Sequence, residues 1–157
     1  KIINEIKKKN FDKRLNYLAY DKNIPILGIC LGLQLFGTNS EESINDEGLA
    51  WIGGSLEKFN IKKKVPHIGF NNLIKIKDNE PLLQNINQKS KFYFVHNYYY
   101  EVEDEDSIVA KTEYEIIFPS IIKKENIVGT QFHPEKSQNY GIQFLYNFLK
   151  INNLLSI

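Results

Sequence analysis

A buried-strand pattern that ends in a glycine-bracketed cysteine constrains this chain more than any other feature. Residues 24–27 are apolar and predict a short buried strand, while residues 31–36 predict the start of a helix. Cys30 then lies on a sharp turn between the two, with Gly28 and Gly32 on either side. Residues without a β-carbon allow the unusual dihedral angles and the close approach of chain that such a turn requires. The pattern therefore favours an α/β fold in which the turn presents the Cys30 side chain.

The position of Cys30 is typical of a nucleophile. Unpaired amides at the start of the following helix favour negative charge, so we expect the thiol to ionise more easily than usual. The backbone amide of Leu31 can donate to an oxyanion, and Gln34 projects on the same side of the helix as Cys30. The simpler alternative is that a lone cysteine in an apolar segment is a small buried hydrophobic residue.

A second segment, far downstream, supplies a base and a carboxylate. His133 follows the strand-like residues 126–132, so it should lie at the carboxyl end of a strand, where open α/β sheets build their sites. Glu135 lies two residues further on and can accept a hydrogen bond from the imidazole, which fixes its tautomer. The alternative for this segment is a solvated turn that ends the strand. His96 is a rival base, but only His133 has a carboxylate close by in the sequence.

These residues together resemble a known family. Gly-Ile-Cys-Leu-Gly-Leu-Gln (28–34), followed late in the chain by Gln-Phe-His-Pro-Glu-Lys-Ser (131–137), is similar to the motifs of the class I glutamine amidotransferases. Three further segments, 48–52, 65–71 and 92–99, resemble the glutaminase subunit of imidazole glycerol phosphate synthase in the same order. The resemblance extends from about residue 24 to the carboxyl end.

The resemblance implies a three-layer α/β domain of flavodoxin-like type, with a mixed, largely parallel central sheet. We expect residues 1–157 to form a single amidotransferase domain. The first strand, first helix and glycine-rich oxyanion loop of the family have no counterpart in this sequence. We therefore expect the chain to be the retained part of a longer protein.

The resemblance also implies a chemistry. Glutamine is the expected substrate, and Cys30, His133 and Glu135 form the expected catalytic triad, with Leu31 in the oxyanion hole. The thiolate forms a glutamyl thioester, which water then hydrolyses to glutamate. The residues expected to hold glutamine are Gly32, Gln34, His96, Asn97 and Tyr98. We expect neither a cofactor nor a metal ion.

In the family the ammonia passes to a cyclase subunit with a (β/α)₈ barrel, for histidine biosynthesis. The positions that match the family's interface with this partner are Pro66, His67, Gly69, Asn71 and Lys136. An ordinary surface loop and a solvated lysine are the alternative for these residues. Two other functions stay open: a paralogue that supplies ammonia for sugar modification in surface polysaccharide synthesis, and a catalytically silent regulatory subunit.

Composition agrees with an enzyme domain and excludes some partners. The formal net charge of +1 gives no electrostatic case for nucleic acid or an anionic membrane. A single cysteine cannot form an internal disulfide, which favours a reducing, cytoplasmic location. The pattern also predicts a charged helix over 1–9, a loop over 38–47 and a closing helix over 140–155 with Ile142, Leu145, Phe148 and Leu149 on one face. The remaining strand-like segments are 49–52, 55–59, 73–77 (half-exposed), 91–100, 108–112, 116–118 and 121–123.

Overall fold

The computed structural model describes residues 2–40, 48–75 and 77–155, so most of the predicted loop over 38–47 lies outside the described residues. The helices are α1 (Ile2–Lys8), α2 (Phe11–Asn16), α3 (Leu31–Gln34) and α4 (Gln138–Ile151), with a π-helical turn at Tyr17–Asp21 and 3₁₀ turns at Pro81–Leu83, Glu105–Ser107 and Pro134–Lys136. The strands are β1 (Ile26–Ile29), β2 (Asn39–Ser40), β3 (Gly54–Lys58), β4 (His67–Asn72), β5 (Ile74–Lys75), β6 (Lys91–His96), β7 (Tyr98–Val102), β8 (Ile108–Tyr114), β9 (Ile116–Lys124) and β10 (Ile127–Thr130).

The main sheet has the strand order β1-β10-β9-β8-β5. β1 and β10 pair in parallel, whereas β10–β9, β9–β8 and β8–β5 are antiparallel. Two smaller sheets have the orders β2-β3-β7 and β4-β6. The predicted α/β fold with a mixed sheet is confirmed, but antiparallel pairs outnumber parallel ones among the described strands. The reason is the shortness of two connections. A single residue, Glu115, joins β8 to β9, and two residues, Glu125 and Asn126, join β9 to β10; Glu115 and Glu125 have positive φ. Such tight hairpins join antiparallel strands.

The main sheet separates two apolar clusters, which gives the predicted three layers. Neighbouring residues of β9 and β10 alternate between the clusters, as side chains on a pleated strand must. Ile121 and Val128 belong to a cluster that includes Phe144 of α4. Ile122 and Ile127 belong to the other cluster, together with Leu33 of α3 and with Ala19, Phe36, Trp51, Ile52, Leu56 and Tyr100. Helices therefore cover both faces of the sheet.

Three sequence predictions about elements are wrong in whole or in part. Residues 49–52 are irregular rather than a strand, although Trp51 and Ile52 are buried, because their backbone amides bond to the Phe36 carbonyl after α3. The two strands predicted at 116–118 and 121–123 form the single strand β9, which continues through Pro119. The closing helix buries a face that only partly matches the prediction: Phe148 is buried as predicted, but Ile142 is 66% exposed, and the other buried residues are Gly141, Phe144 and Asn147.

Two further findings concern the helices. The start of α4 packs tightly on the turn after β10, because a β-carbon on Gly141 would lie 1.8 Å from the Pro134 carbonyl oxygen. This contact fixes the segment that carries His133. No helix in residues 2–40, 48–75 and 77–155 has the length and apolar character needed to cross a membrane.

Candidate active site

Cys30 occupies the strained turn that the sequence predicts. It joins β1 to α3 with φ 48° and ψ −97°, which lies outside the favoured regions for a residue with a side chain. Its backbone amide donates to the Thr130 carbonyl at 2.7 Å, so the turn is attached to the end of β10. A β-carbon on Gly28 would lie 2.4 Å from a ring carbon of Phe36 and 2.8 Å from the backbone of Gly32. Glycine at position 28 is therefore needed for the close approach of strand and helix.

The thiol of Cys30 makes two long hydrogen bonds in addition to the one from the Leu31 backbone amide. Its Sγ lies 3.9 Å from the carbonyl oxygen of Val95, to which it donates, and 3.8 Å from Nε2 of Gln131, from which it accepts. Burial raises the pKa of the Cys30 thiol, although hydrogen bonds from the Leu31 amide and from Gln131 act in the opposite direction. The expectation of an easily ionised thiol is wrong for this resting geometry, because burial outweighs the stabilising donors.

His133 is positioned by backbone and side-chain bonds from three directions. Its backbone amide donates to the Tyr93 carbonyl of β6 at 2.8 Å. The buried Ser137 hydroxyl donates to the His133 carbonyl at 2.6 Å and accepts from the Tyr93 amide at 2.9 Å. The ring nitrogen Nδ1 lies 2.6 Å from Oε1 of Glu135. Since a carboxylate only accepts, this contact assigns the proton of the neutral ring to Nδ1 and leaves Nε2 with a free lone pair.

The three predicted triad residues lie at one edge of the sheet. Cys30 and His133 follow β1 and β10, which pair in parallel, with Ile29 opposite Thr130. Strand β6 contacts both segments, through the Val95 carbonyl at the thiol and the Tyr93 carbonyl at the His133 amide. A direct Cys30–His133 bond is not among the hydrogen bonds of the described residues. Catalytic hydrogen bonds are often long before substrate binds, so this resting geometry is compatible with a triad.

His96 is unsuited to act as the base. Its Nδ1 lies 2.7 Å from the Tyr98 carbonyl oxygen, and its Nε2 lies 3.0 Å from Nδ1 of His67. The first contact requires a proton on Nδ1, so Nε2 accepts the proton of His67 and has no lone pair left for a substrate. Burial lowers the pKa of His96 to about 3. His96 is a neutral structural residue beside the site, which favours His133 as the base.

The residues predicted to hold glutamine belong to two segments, one that directly follows Cys30 and one that directly follows Val95. Leu31 is 42% exposed, and nothing lies within 4 Å of the position that a β-carbon on Gly32 would take. Gln34 is half-buried, with its amide bonded to the Cys30 carbonyl at 3.1 Å. The segment of His96, Asn97 and Tyr98 directly follows Val95, whose carbonyl contacts the thiol. Asn97 is exposed at the link between β6 and β7.

The predicted partner-interface residues divide into buried and accessible ones. His67 is 3% exposed, and its ring stacks between Phe94 and Tyr114 with centroid distances of 4.8 and 4.0 Å. Its side chain is therefore covered by this chain's own residues, and its place at or near a partner interface stays a prediction. Asn71 is half-buried and donates to the Glu113 carbonyl at 2.9 Å. Pro66 and Gly69 are half-buried, and Lys136 is exposed.

Two apolar residues inside the predicted interface segment 66–71 are exposed, although the prediction did not single them out. Ile68 is 57% exposed and Phe70 is 47% exposed, on the outer face of β4. The Phe70 ring meets the Tyr93 ring edge-on at 5.5 Å, and Nζ of Lys136 lies 5.9 Å from the centre of that Tyr93 ring. We call Ile68, Phe70, Tyr93 and Lys136 the β4 face. In the sequence, apolar Ile68 and Phe70 alternate with the polar or small residues at 67, 69 and 71, and this alternation was the available signal.

The sequence reasoning also assigned no role to Gln131, Ser137 or Val95. Gln131 and Ser137 are fully buried polar residues within the histidine motif, which is an unusual position for such side chains. Val95 acts through its carbonyl, which no sequence pattern reveals. Within the described part of the chain, no group of three or more His, Cys, Asp or Glu side chains is arranged to hold a metal ion.

Comparison with known proteins agrees with this geometry. The family described as glutamine amidotransferase class-I matches residues 7–151. Among similar proteins are those named imidazole glycerol phosphate synthase subunit HisH from Methanocaldococcus jannaschii, 45% identical over 88% of this chain and 70% of the relative, and from Leptospira interrogans, 41% identical over 87% and 69%.

Solved structures show the same fold. A crystal structure of a glutamine amidotransferase matches 97% of this chain and 73% of its own chain with a TM-score of 0.71 at 12% identity. Another, from Thermotoga maritima, matches 96% and 57% with a TM-score of 0.60 at 21% identity.

Proposed function

Because the chain belongs to the class-I glutamine amidotransferase family, we propose that it is the glutaminase subunit of an imidazole glycerol phosphate synthase. The observation that carries the proposal is the juxtaposition of a strained Cys30 turn with the His133–Glu135 pair at neighbouring strand ends. Relatives that are 38–45% identical are named as imidazole glycerol phosphate synthase subunits, which supports the choice of synthase.

In the first half-reaction, His133 acts as a general base. Burial keeps the resting thiol of Cys30 protonated, so Nε2 of His133 takes its proton as sulfur attacks the side-chain carboxamide carbon of glutamine. The amide of Leu31 donates to the oxyanion that forms on the carboxamide oxygen. The imidazolium is stabilised by Glu135, 2.6 Å away, and returns its proton to the leaving nitrogen. The C–N bond breaks, and ammonia and a glutamyl thioester on Cys30 result.

In the second half-reaction, the thioester is hydrolysed. Neutral His133 removes a proton from water as the water oxygen attacks the thioester carbon, and the same proton returns to sulfur when the C–S bond breaks. Glutamate leaves and the resting thiol is restored. Open space at Gly32 and the half-buried Gln34 beside Cys30 support a binding site for the amino acid part of glutamine there.

We propose that the ammonia is passed to a (β/α)₈-barrel cyclase subunit that docks on the β4 face. Ile68 and Phe70 supply exposed apolar area, and Lys136 supplies a charge next to the catalytic Glu135. Direct transfer matters because ammonium, the form favoured in bulk water at neutral pH, is not a nucleophile. A reducing compartment favours a free catalytic thiol, and we propose the cytoplasm as the location.

The test is glutamate release from glutamine, measured with and without the cognate cyclase loaded with its aminoaldose ribonucleotide. We expect strong stimulation by the loaded cyclase and loss of activity in Cys30→Ala. Cys30-dependent activity that the cyclase does not change would refute the synthase assignment and point to another ammonia acceptor. Absence of activity under both conditions would refute the glutaminase and favour a silent subunit.

A further inference from the structure

Gln131 is a buried amide that contacts the nucleophile. It follows β10 directly, is 0% exposed, and its backbone amide donates to the Ser120 carbonyl at 3.0 Å. Its side-chain Nε2 lies 3.8 Å from Sγ of Cys30. Its Oε1 is buried and has no hydrogen-bond partner among the described residues. The Gln131 amide nitrogen thus has a hydrogen-bond partner, the thiol sulfur, whereas the amide oxygen has none among the described residues.

We infer that Gln131 is a positioning residue for Cys30, whose amide donates to the thiol sulfur and holds it in the geometry from which it attacks. The inference deepens the proposed function and rests on it, since the sulfur attacks a substrate only if the chain is a glutaminase. Gln131 does not itself touch the reacting atoms of the substrate in this inference; it acts through Cys30.

Beside the bond from the Leu31 amide, the bonds of the sulfur to Val95 and Gln131 have different consequences. The thiol proton points to the Val95 carbonyl, and that bond is lost when the thiol ionises. The bond from Gln131 survives ionisation and becomes stronger, because a donor bonds more strongly to a charged acceptor. Gln131 is therefore the side chain among the contacts of Sγ that favours the thiolate over the thiol, in a site where burial acts against the thiolate.

The orphaned Oε1 argues against a purely structural role. A buried carbonyl without a donor destabilises the fold, and an apolar side chain of similar length would avoid that penalty. A glutamine placed here for packing alone would be a poor choice. If glutamine is here to donate to the sulfur, the bond from Nε2 requires the same side chain to bury Oε1 without a partner. Such a loss of stability at a functional site is common.

The test uses the fact that the chain contains one cysteine, so that alkylation by iodoacetamide, followed by whole-protein mass spectrometry, reports on Cys30 alone. The rate is measured against pH for the wild type, Gln131→Met and Gln131→Glu. Methionine keeps the length and removes the donor, so we expect the midpoint of the pH profile to rise by roughly half a pH unit or more. Glutamate keeps the shape but is ionised at the alkaline pH where the thiol titrates, so we expect a larger rise.

The stability of the variants in urea distinguishes a positioning role of Gln131 from a role in packing. Because Gln131→Met removes the orphaned oxygen, we expect its midpoint in urea to equal or exceed that of the wild type. Asn147→Leu is the matched control: Asn147 is a buried amide in α4 that donates to the Leu82 and Gln84 carbonyls at 3.0 and 2.8 Å. This control should lose stability and keep the wild-type alkylation profile.

Two outcomes would overturn the inference. One is that Gln131→Met and Gln131→Glu both have the same midpoint as the wild type in the profile of alkylation rate against pH. The other is an equal shift in Asn147→Leu, because the effect would then follow general destabilisation. Alkylation needs neither glutamine nor a cyclase, so it tests Gln131 even if glutamate release fails. Failure of the proposed function and failure of this inference are therefore seen in different assays.

Discussion

The buried pair of His67 and His96 should make stability fall steeply as the pH is lowered. Burial lowers the pKa of His67 to about 4 and that of His96 to about 3, from an ordinary value of 6.5. Below pH 6.5 the unfolded chain therefore binds protons that the native chain does not, and native stability is lost as the pH falls towards these lowered values. Each pH unit is worth about 1.4 kcal/mol per histidine, so going from pH 6.5 to 5.0 should cost about 2 kcal/mol for each ring.

The assay is the free energy of unfolding in urea at pH 6.5 and at pH 5.0, for the wild type and for His67→Phe. Phenylalanine fits the stack between Phe94 and Tyr114 and cannot titrate, so the variant should lose about 2 kcal/mol less than the wild type over this interval. Phe144→Leu is the control, since Phe144 is a buried residue of α4 whose replacement lowers stability without removing a titrating group, and it should keep the wild-type slope. Equal slopes for the wild type and His67→Phe would refute the reasoning that this ring is neutral and buried.

Three further predictions concern the site. A β-carbon on Gly28 would lie 2.8 Å from the Gly32 backbone, so Gly28→Ala should lower the free energy of unfolding by about 1–3 kcal/mol. A β-carbon on Gly32 would meet open space, so Gly32→Ala should fold normally. Because that space is where we propose that glutamine binds, Gly32→Ala should raise the KM for glutamine about tenfold. Glu135→Gln should lower kcat for glutamine hydrolysis about a hundredfold or more, because the imidazolium loses its charged partner, and a wild-type kcat would contradict this role. Phe70→Glu should weaken binding of the proposed cyclase about 10- to 100-fold in a titration, whereas Ile142→Glu, at a still more exposed position on α4, should bind normally.

The turn at Cys30 could be predicted from sequence because its determinants are local. Gly28 and Gly32 bracket the cysteine, the apolar strand precedes it, and the resulting dihedral angles are a property of a few adjacent residues. The His133–Glu135 contact is local too, since the two residues are separated by a single proline. Local geometry of this kind is encoded within a short segment of chain.

The ionisation of Cys30 could not be predicted from sequence because its determinants are distant. Val95 is 65 residues away and Gln131 is 101 residues away in the chain, and their approach buries the sulfur. The burial of His67 has the same origin, because it depends on the pairing of β4 with β6, which places His67 opposite His96. A pattern read along the chain shows which residues are polar but not which strand will cover them.

The pairing of β4 with β6 also brings the β4 face close to the nucleophile. Ile68 of β4 pairs with Val95 of β6, and the Val95 carbonyl oxygen lies 3.9 Å from Sγ of Cys30. Neighbouring strands lie about 4.8 Å apart, so the exposed residue and the thiol are separated by only about two strand spacings. A protein that docks on Ile68 and Phe70 therefore acts on the strand pair that holds the thiol's acceptor, without entering the site.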